Sequence, residues 1–269
     1  MKHFTLMVNR SKDPELEVAR EVEAFLDMQG LDCVIPEPDE VLAPDTDCIL
    51  VLGGDGTVLQ AARRSIGCGI PILGINLGTL GYLAEIEKNS WREALTRLIH
   101  GDYEIEERMM IQGSIPGVIC DYALNDIVLG RIGALRILNY DVYVNGSYLN
   151  TFSADGIILS TPTGSTAYNL SAGGPIVEPG AQLVVMTPIC PHTLNTRSII
   201  LSAEDRIEVE VGKLKDGDIA EAEADFDGNA GRVMVSGERM IVTKADVVTR
   251  LVKLSRRSFL ETLHRKISG

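Results

Sequence analysis

An apolar run, Ile49-Leu50-Val51-Leu52, meets Gly53-Gly54-Asp55-Gly56-Thr57 and then a helix-like stretch from Val58 to Arg64. No other feature of the chain narrows its fold as much. A buried strand, a glycine turn and a helix in succession make the core of a βαβ unit, and bare glycine backbone lets a phosphate come close. The spacing is not that of a Walker loop, because no Gly-Lys-Ser/Thr follows. A tight turn explains the glycines but does not need a charge in its middle. A carboxylate near a helix N-terminus is favoured as the anion. It suits a base that takes a proton from a hydroxyl while a phosphoryl group arrives.

The first hundred residues alternate strand and helix. Strands are expected at Phe4–Val8, Cys33–Ile35, Asp47–Leu52 and Ile70–Leu77, and helices at Asp13–Gln29 and Trp91–His100. Nearly all-apolar strands imply a parallel sheet covered on both faces, with ligands at the carboxyl ends of its strands. From about residue 102 to 246 the period falls to two. Ile207, Val209 and Val211 alternate with Glu208 and Glu210, and Asn145-Gly146 and Pro116-Gly117 mark turns. That pattern predicts an antiparallel, sheet-rich second domain. A last helix is expected over Ser258–Ile267.

A formal net charge of −13 argues against nucleic-acid and anionic-membrane partners, which need a basic surface. Cys33, Cys48, Cys68, Cys120 and Cys190 are odd in number and lack CxxC spacing, so they are expected to be buried small hydrophobes in a reducing cytoplasm. His3, His100, His192 and His264 share no ligand spacing. No apolar run has the length of a membrane span, and the N-terminus resembles a first strand rather than a signal peptide. The expectation is a soluble cytoplasmic protein.

Two further constellations carry chemistry. Five of the seven residues from Ser160 to Thr166 bear hydroxyls, after a strand that begins at Asp155-Gly156 and before Ala167-Tyr168. Helix capping by Ser165 or Thr166 explains one hydroxyl. Five of them beside an aromatic ring that can stack on a base make a nucleotide pocket. Asn125-Asp126 opens another strand; an amide reads donor and acceptor patterns, and a carboxylate accepts from two vicinal ribose hydroxyls. Asp225-Phe226-Asp227-Gly228-Asn229 lacks the flanking helices and terminal Glu of a calcium loop, and reads as a hairpin turn.

Together and in this order, the three constellations resemble the NAD kinases over nearly the whole chain. Gly53–Thr57 is similar to the family's GGDGT loop. Gly74-Ile75-Asn76-Leu77-Gly78-Thr79-Leu80-Gly81-Tyr82-Leu83 is similar to its second glycine segment, with Tyr82 where Phe is usual. Asn125-Asp126, the segment from Ser160 to Tyr168 with Asn169-Leu170-Ser171-Ala172-Gly173-Gly174-Pro175, and Pro188–Leu194 with Arg197-Ser198 match further motifs. GGDGT alone is shared with diacylglycerol and sphingosine kinases; the segment after Ser160 discriminates.

The resemblance implies transfer of the γ-phosphoryl group of ATP to the 2′-hydroxyl of the adenosine ribose of NAD, with Asp55 as general base and Mg²⁺ accompanying the triphosphate. Gly53, Gly54, Gly56 and Thr57 would face phosphates. Asp55, Gly56, Asn125, Asp126, Asp155, Thr163, Thr166, Ala167, Tyr168, Asn169, Leu170, Ser171 and Asn229 would bind NAD. Asn229 stands where the family often has Gln, and Ser153 where a basic residue is common, which leaves Arg136 as a candidate cation for the pyrophosphate. The implied fold is an α/β domain (1–101 with the returning segment 247–269) that takes ATP, and a β-sandwich-like domain (102–246) that takes NAD. A homodimer or homotetramer is implied, with polyphosphate as a possible alternative donor. Two other readings are a lipid kinase with an apolar acceptor cleft, disfavoured by the acidic balance and the hydroxyl loop, and a catalytically silent NAD(H) sensor, disfavoured by Asp55.

Overall fold

A computed structural model describes all residues except 38–39, 80, 134–136, 194–195, 215–216, 256–257 and 269. The chain forms two compact units, Met1–Arg108 with Val248–Gly269, and Met109–Val247.

The first unit is a parallel sheet of β1 (His3–Val8), β2 (Asp32–Val34), β3 (Cys48–Gly53), β4 (Ile72–Asn76) and the short β5 (Ile86–Glu87). The order is β4-β3-β1-β2; β5 pairs with β4, and Leu251 near the end of the strand Arg239–Lys253 also pairs with β4. Alternation along the strands sorts the helices. Phe4, Leu6, Leu50, Leu52, Leu73 and Ile75 share one core with Val22 and Leu26 of α1 (Glu17–Met28) and Leu95 and Leu98 of α3 (Trp91–Ile99). A Cβ added to Gly74 would point the other way, into Val58 of α2 (Asp55–Arg64) and Ala84. The helix after β1 and the helix after β3 therefore cover opposite faces. The helix Phe259–Ser268 also belongs to this unit: Phe259 lies 6.1 Å from the Tyr82 ring, and Lys266 Nζ stands 4.0 Å from that ring's centroid.

Two expected boundaries move for local reasons. The first helix starts at Glu17, four residues after Asp13, because Leu16 takes a left-handed conformation (φ 57°) and bends the chain. Asp13 still caps it from a distance: its carboxylate accepts from Val18 N–H (3.4 Å) and Ala19 N–H (3.0 Å). The second helix starts at Asp55 itself, with Gly54 as N-cap, so Asp55 is a helical residue and not the middle of the turn.

The second unit is built from antiparallel strands in two layers. In spatial order, one layer consists of Ile199–Ser202, Leu183–Ile189, Gly156–Ser160, Asp126–Arg131, Glu221–Phe226 and Asn229–Val235. The other includes Ser147–Ala154, Leu138–Val144 and Ile207–Val211, followed by the start of Arg239–Lys253. Inward residues of both, such as Ile127, Ile157 and Met186 from the first and Tyr140, Val142 and Val209 from the second, share one apolar core. Asn145 (φ 51°) with Gly146 (φ 79°) and Asp227 (φ 52°) with Gly228 (φ 74°) supply the two left-handed residues of a type I′ hairpin turn.

Replacing Asp13 by Ala should lower unfolding stability by about 1 kcal/mol, the usual worth of a helix cap, with Asp13→Asn closer to wild type. Urea unfolding checks this; equal midpoints for Ala and wild type would remove the cap.

Candidate active site

In the first unit, the loop after β3 and the segment after β4 are joined by one side chain. Asp55 Oδ2 accepts from Tyr82 N–H at 2.7 Å, and Oδ1 accepts from Leu83 N–H (2.9 Å) and Ala84 N–H (3.1 Å). A carboxylate offers about four acceptor positions. Three are filled, which sets the plane of the group and leaves one on Oδ2 for a hydroxyl proton. Gly81 is required by this embrace, since a Cβ there would collide with the carboxylate. Gly53 is needed for the same kind of reason, because a Cβ would strike Thr57. Thr57 Oγ1 in turn accepts from Asn9 Nδ2 at 3.3 Å. Leu80, within the second glycine segment, lies outside the described residues.

In the second unit, strand register assembles the other motifs. Ser160 pairs with Asp126, and Ile127 pairs with Phe226. The beginning of Asp126–Arg131, the end of Gly156–Ser160 and the Asp227-Gly228 turn thus meet at one end of the layer. The hydroxyl-rich loop lies directly on Asn125, whose carbonyl accepts from Thr161 N–H at 2.8 Å and would be struck by a Cβ on Gly164. Thr161 Oγ1 donates to the Leu124 carbonyl, and Ser160 Oγ to that of Asn125. Ser165 Oγ donates to the Pro162 carbonyl at 2.7 Å and accepts from Val177 N–H at 3.0 Å.

This corrects the reading of that loop. Ser160, Thr161 and Ser165 are fully buried and spend their hydroxyls on backbone, so they frame the loop. Neither Ser165 nor Thr166 caps the one-turn helix Tyr168–Ser171, whose N-cap is Ala167. Asn169 is also wholly buried: its amide donates to Ser165 and Pro175 carbonyls, and its oxygen accepts from Thr187 Oγ1. Thr163 is buried, Thr166 and Ala167 are half-buried, and Tyr168, Leu170 and Ser171 are open to solvent. Asn229 is exposed, with its amide on the Phe226 carbonyl at 3.2 Å.

Asp155 adjoins the other end of the Gly156–Ser160 strand, roughly 17 Å from Ser160 at the usual rise of a strand. Its Oδ1 pairs with Arg131 Nε at 2.9 Å. Sequence reading did not single out Arg131; its only signal there was an Arg ending the strand that Asn125-Asp126 opens. Arg136, the expected cation, lies outside the described residues, as does Leu194.

Asp227 was also missed as a participant. Its carboxylate accepts from three successive amides, Leu124 (2.8 Å), Asn125 (2.7 Å) and Asp126 (3.2 Å). Asp126 is itself buried. Burial, and then the charge of Asp227, push its carboxyl up to about 7. Among the described residues, no group of three or more His, Cys, Asp or Glu side chains could hold a metal ion. No described helix is long and apolar enough to cross a membrane.

Parallel α/β unit, antiparallel two-layer unit and a carboxylate fixed beside glycine loops are the frame of a known class of kinase. The fold is shared with yeast NADH kinase solved with NADH (TM-score 0.82, 23% identity, covering 100% of this chain and 88% of that one). It is shared as well with an NAD kinase from Archaeoglobus fulgidus solved with ATP (TM-score 0.83, 24% identity, 98% of each chain). Family models of the ATP-NAD kinase N-terminal domain match residues 34–103, and of the ATP-NAD kinase C-terminal domain residues 124–254. The NAD kinase of Lachnospira eligens is 45% identical over 99% of this chain and 100% of its own length; that of Agathobacter rectalis is 40% identical over 100% and 99%. The chain belongs to the NAD kinase family.

The raised carboxyl of Asp126 has a stability consequence. A group whose folded pKa lies above its unfolded value stabilises the fold at low pH and loses that contribution as pH rises, here between about 4 and about 7. Asp126→Asn removes the cost of ionisation. It should unfold at higher urea than wild type at pH 8, by on the order of a few kcal/mol, with little difference at pH 4. A pH-independent gap between the two would show that Asp126 does not titrate there.

Proposed function

We infer that this protein is an ATP-dependent NAD kinase, which moves the γ-phosphoryl group of ATP to the 2′-hydroxyl of the adenosine ribose of NAD and so makes NADP. One observation supports the chemistry above all. Asp55 is a carboxylate at the carboxyl end of a parallel strand, oriented by three amides, with an acceptor position to spare. In phosphoryl transfer the protein does little covalent chemistry; it positions the groups and offsets charge. The attacking hydroxyl loses its proton as phosphorus approaches, and an aimed carboxylate receives it. We assign that role to Asp55.

The remaining assignments follow family membership. Gly53, Gly54, Gly56 and Thr57 face donor phosphates, in the α/β domain of 1–101 and 247–269. Mg²⁺ bound to the triphosphate would supply positive charge to offset the charge that develops in the transfer. In the domain of 102–246, Asn125 and Asp126 hold the adenosine ribose; Asp126 accepts ribose hydroxyls best when ionised. Thr163, Thr166, Ala167, Tyr168, Leu170 and Ser171 line the dinucleotide path, and Asn229 adds an amide. Asn169 frames that path from within. Asp155, at the far end of its strand from Asp126, takes the nicotinamide end, and the separation suits an extended dinucleotide. Polyphosphate is an alternative donor of the same chemistry. A homo-oligomer in the cytoplasm completes the reading.

Purified protein with MgATP and NAD should form NADP, and with diacylglycerol no phosphatidate; the reverse would install the lipid kinase. Asp55→Asn should lower kcat by roughly 10²- to 10⁴-fold, the worth of a general base. An unchanged kcat takes Asp55 out of the chemistry. Asp126→Ala should raise the KM for NAD while leaving that for ATP near wild type; a shift confined to ATP would reassign the ribose contact.

A further inference from the structure

The first unit carries a cation in the place where an open parallel sheet opens to ligand. In the order β4-β3-β1-β2 the chain steps from β1 to β2 on one side, while β3 lies on the other. The helices after β1 and β3 cover opposite faces, so the loops after these two strands diverge. The gap between them is the topological switch point, where ligands of such sheets bind. One of the two loops is Gly53–Thr57. The other is the stretch from Asn9 to Asp13, and it is firmly held. Asn9 N–H donates to the Leu52 carbonyl at 2.8 Å, and the Asn9 carbonyl accepts from Lys12 N–H and Asp13 N–H, both at 3.0 Å. Asn9 Oδ1 accepts from Ser11 N–H at 3.0 Å.

That turn sends Lys12 across the gap. A Cβ added to Gly54 would stand 3.1 Å from Lys12 Nζ, and one added to Gly78 would stand 3.0 Å from it. The ammonium therefore rests over bare backbone of two loops, one following β3 and one following β4, while its own loop follows β1. Among the described residues no carboxylate is paired with it, although the chain holds 38 acidic side chains. Beside the same strand ends lies a cavity of about 440 Å³, lined among others by Asn9, Arg10, Thr57 and Gln60. An exposed lysine held over the backbone of two other loops, with no carboxylate paired to it among the described residues, stands where an anionic ligand would meet it.

We propose that Lys12 binds the phosphate chain of the phosphoryl donor, a nucleoside triphosphate, and that Gly54 and Gly78 lack side chains so that its ammonium can reach that chain. The proposal rests on the donor reading above. Lysine suits the task as a compact point charge with three donors. Glycine at both positions keeps the approach open on either side.

Isothermal titration with ATP and, separately, with NAD tests it, on wild type, Lys12→Ala and Lys12→Arg, with NADP formation followed in parallel. Lys12→Ala should weaken ATP about 10- to 100-fold, as loss of a charge-assisted contact does. Its NAD affinity and thermal midpoint should stay near wild type, and Lys12→Arg should recover part of the ATP affinity. Wild-type affinity of Lys12→Ala for ATP overturns the proposal, and so does an equal loss for NAD. If wild type binds ATP but makes no NADP, the kinase reading fails, and the Lys12→Ala titration still decides the phosphate contact.

Discussion

A carboxylate gripping three successive backbone amides is the interaction on which both halves of this protein depend. Asp55 holds residues 82–84, and Asp227 holds residues 124–126. Loops that bend sharply beside a sheet turn several N–H groups the same way, with no ladder partner for any of them. Buried donors of that kind need acceptors, and an ionised carboxylate is the strongest one a side chain offers. In each case the aspartate adjoins a glycine motif, and the amides belong to a segment distant in sequence. One side chain thus ties two motifs that would otherwise move separately.

The two grips differ in what they leave over. Around Asp55 the amides fill three acceptor positions and orient the fourth, so the anchoring group and the proposed base are the same carboxylate. Around Asp227 the grip delivers a second carboxylate, Asp126, into a buried place beside a like charge. That arrangement costs stability, since burial and Asp227 both disfavour the Asp126 anion. On the function proposed above, hydroxyl donors from the ribose would offset that cost on binding.

The hydroxyl-rich loop divides its labour by burial. Ser160, Thr161 and Ser165 face inward and replace missing ladder bonds, while Tyr168, Leu170 and Ser171 face outward. Neighbours in sequence therefore have different tasks, and residue type alone does not separate them. The C-terminal helix plays a comparable supporting part in the first unit. Phe259 and Lys266 both touch the Tyr82 ring, and the Tyr82 amide is one of the three on Asp55.

Much was legible from the chain itself. Apolar runs, glycine stops and period-two segments are local signals, set by backbone geometry and side-chain alternation, and they foretold a parallel α/β half and an antiparallel half. The motifs Gly53–Thr57, Asn125-Asp126 and Ser160–Tyr168 stood out because each sets an unusual residue type at a strand end, and they raised the expectation of nucleotide chemistry on which the proposed function rests. What the chain could not reveal were partners far apart in number: Asp55 with the amides of 82–84, Asp227 with those of 124–126, Arg131 with Asp155, and Lys12 over Gly54 and Gly78. Helix starts shifted for the same reason, as Asp13 caps a helix from beyond a left-handed Leu16. Sequence spacing determines which face of an element a side chain takes. Only tertiary structure decides which of the many carboxylates meets which amides, because that depends on strand order and register, and neither is a local property of the chain.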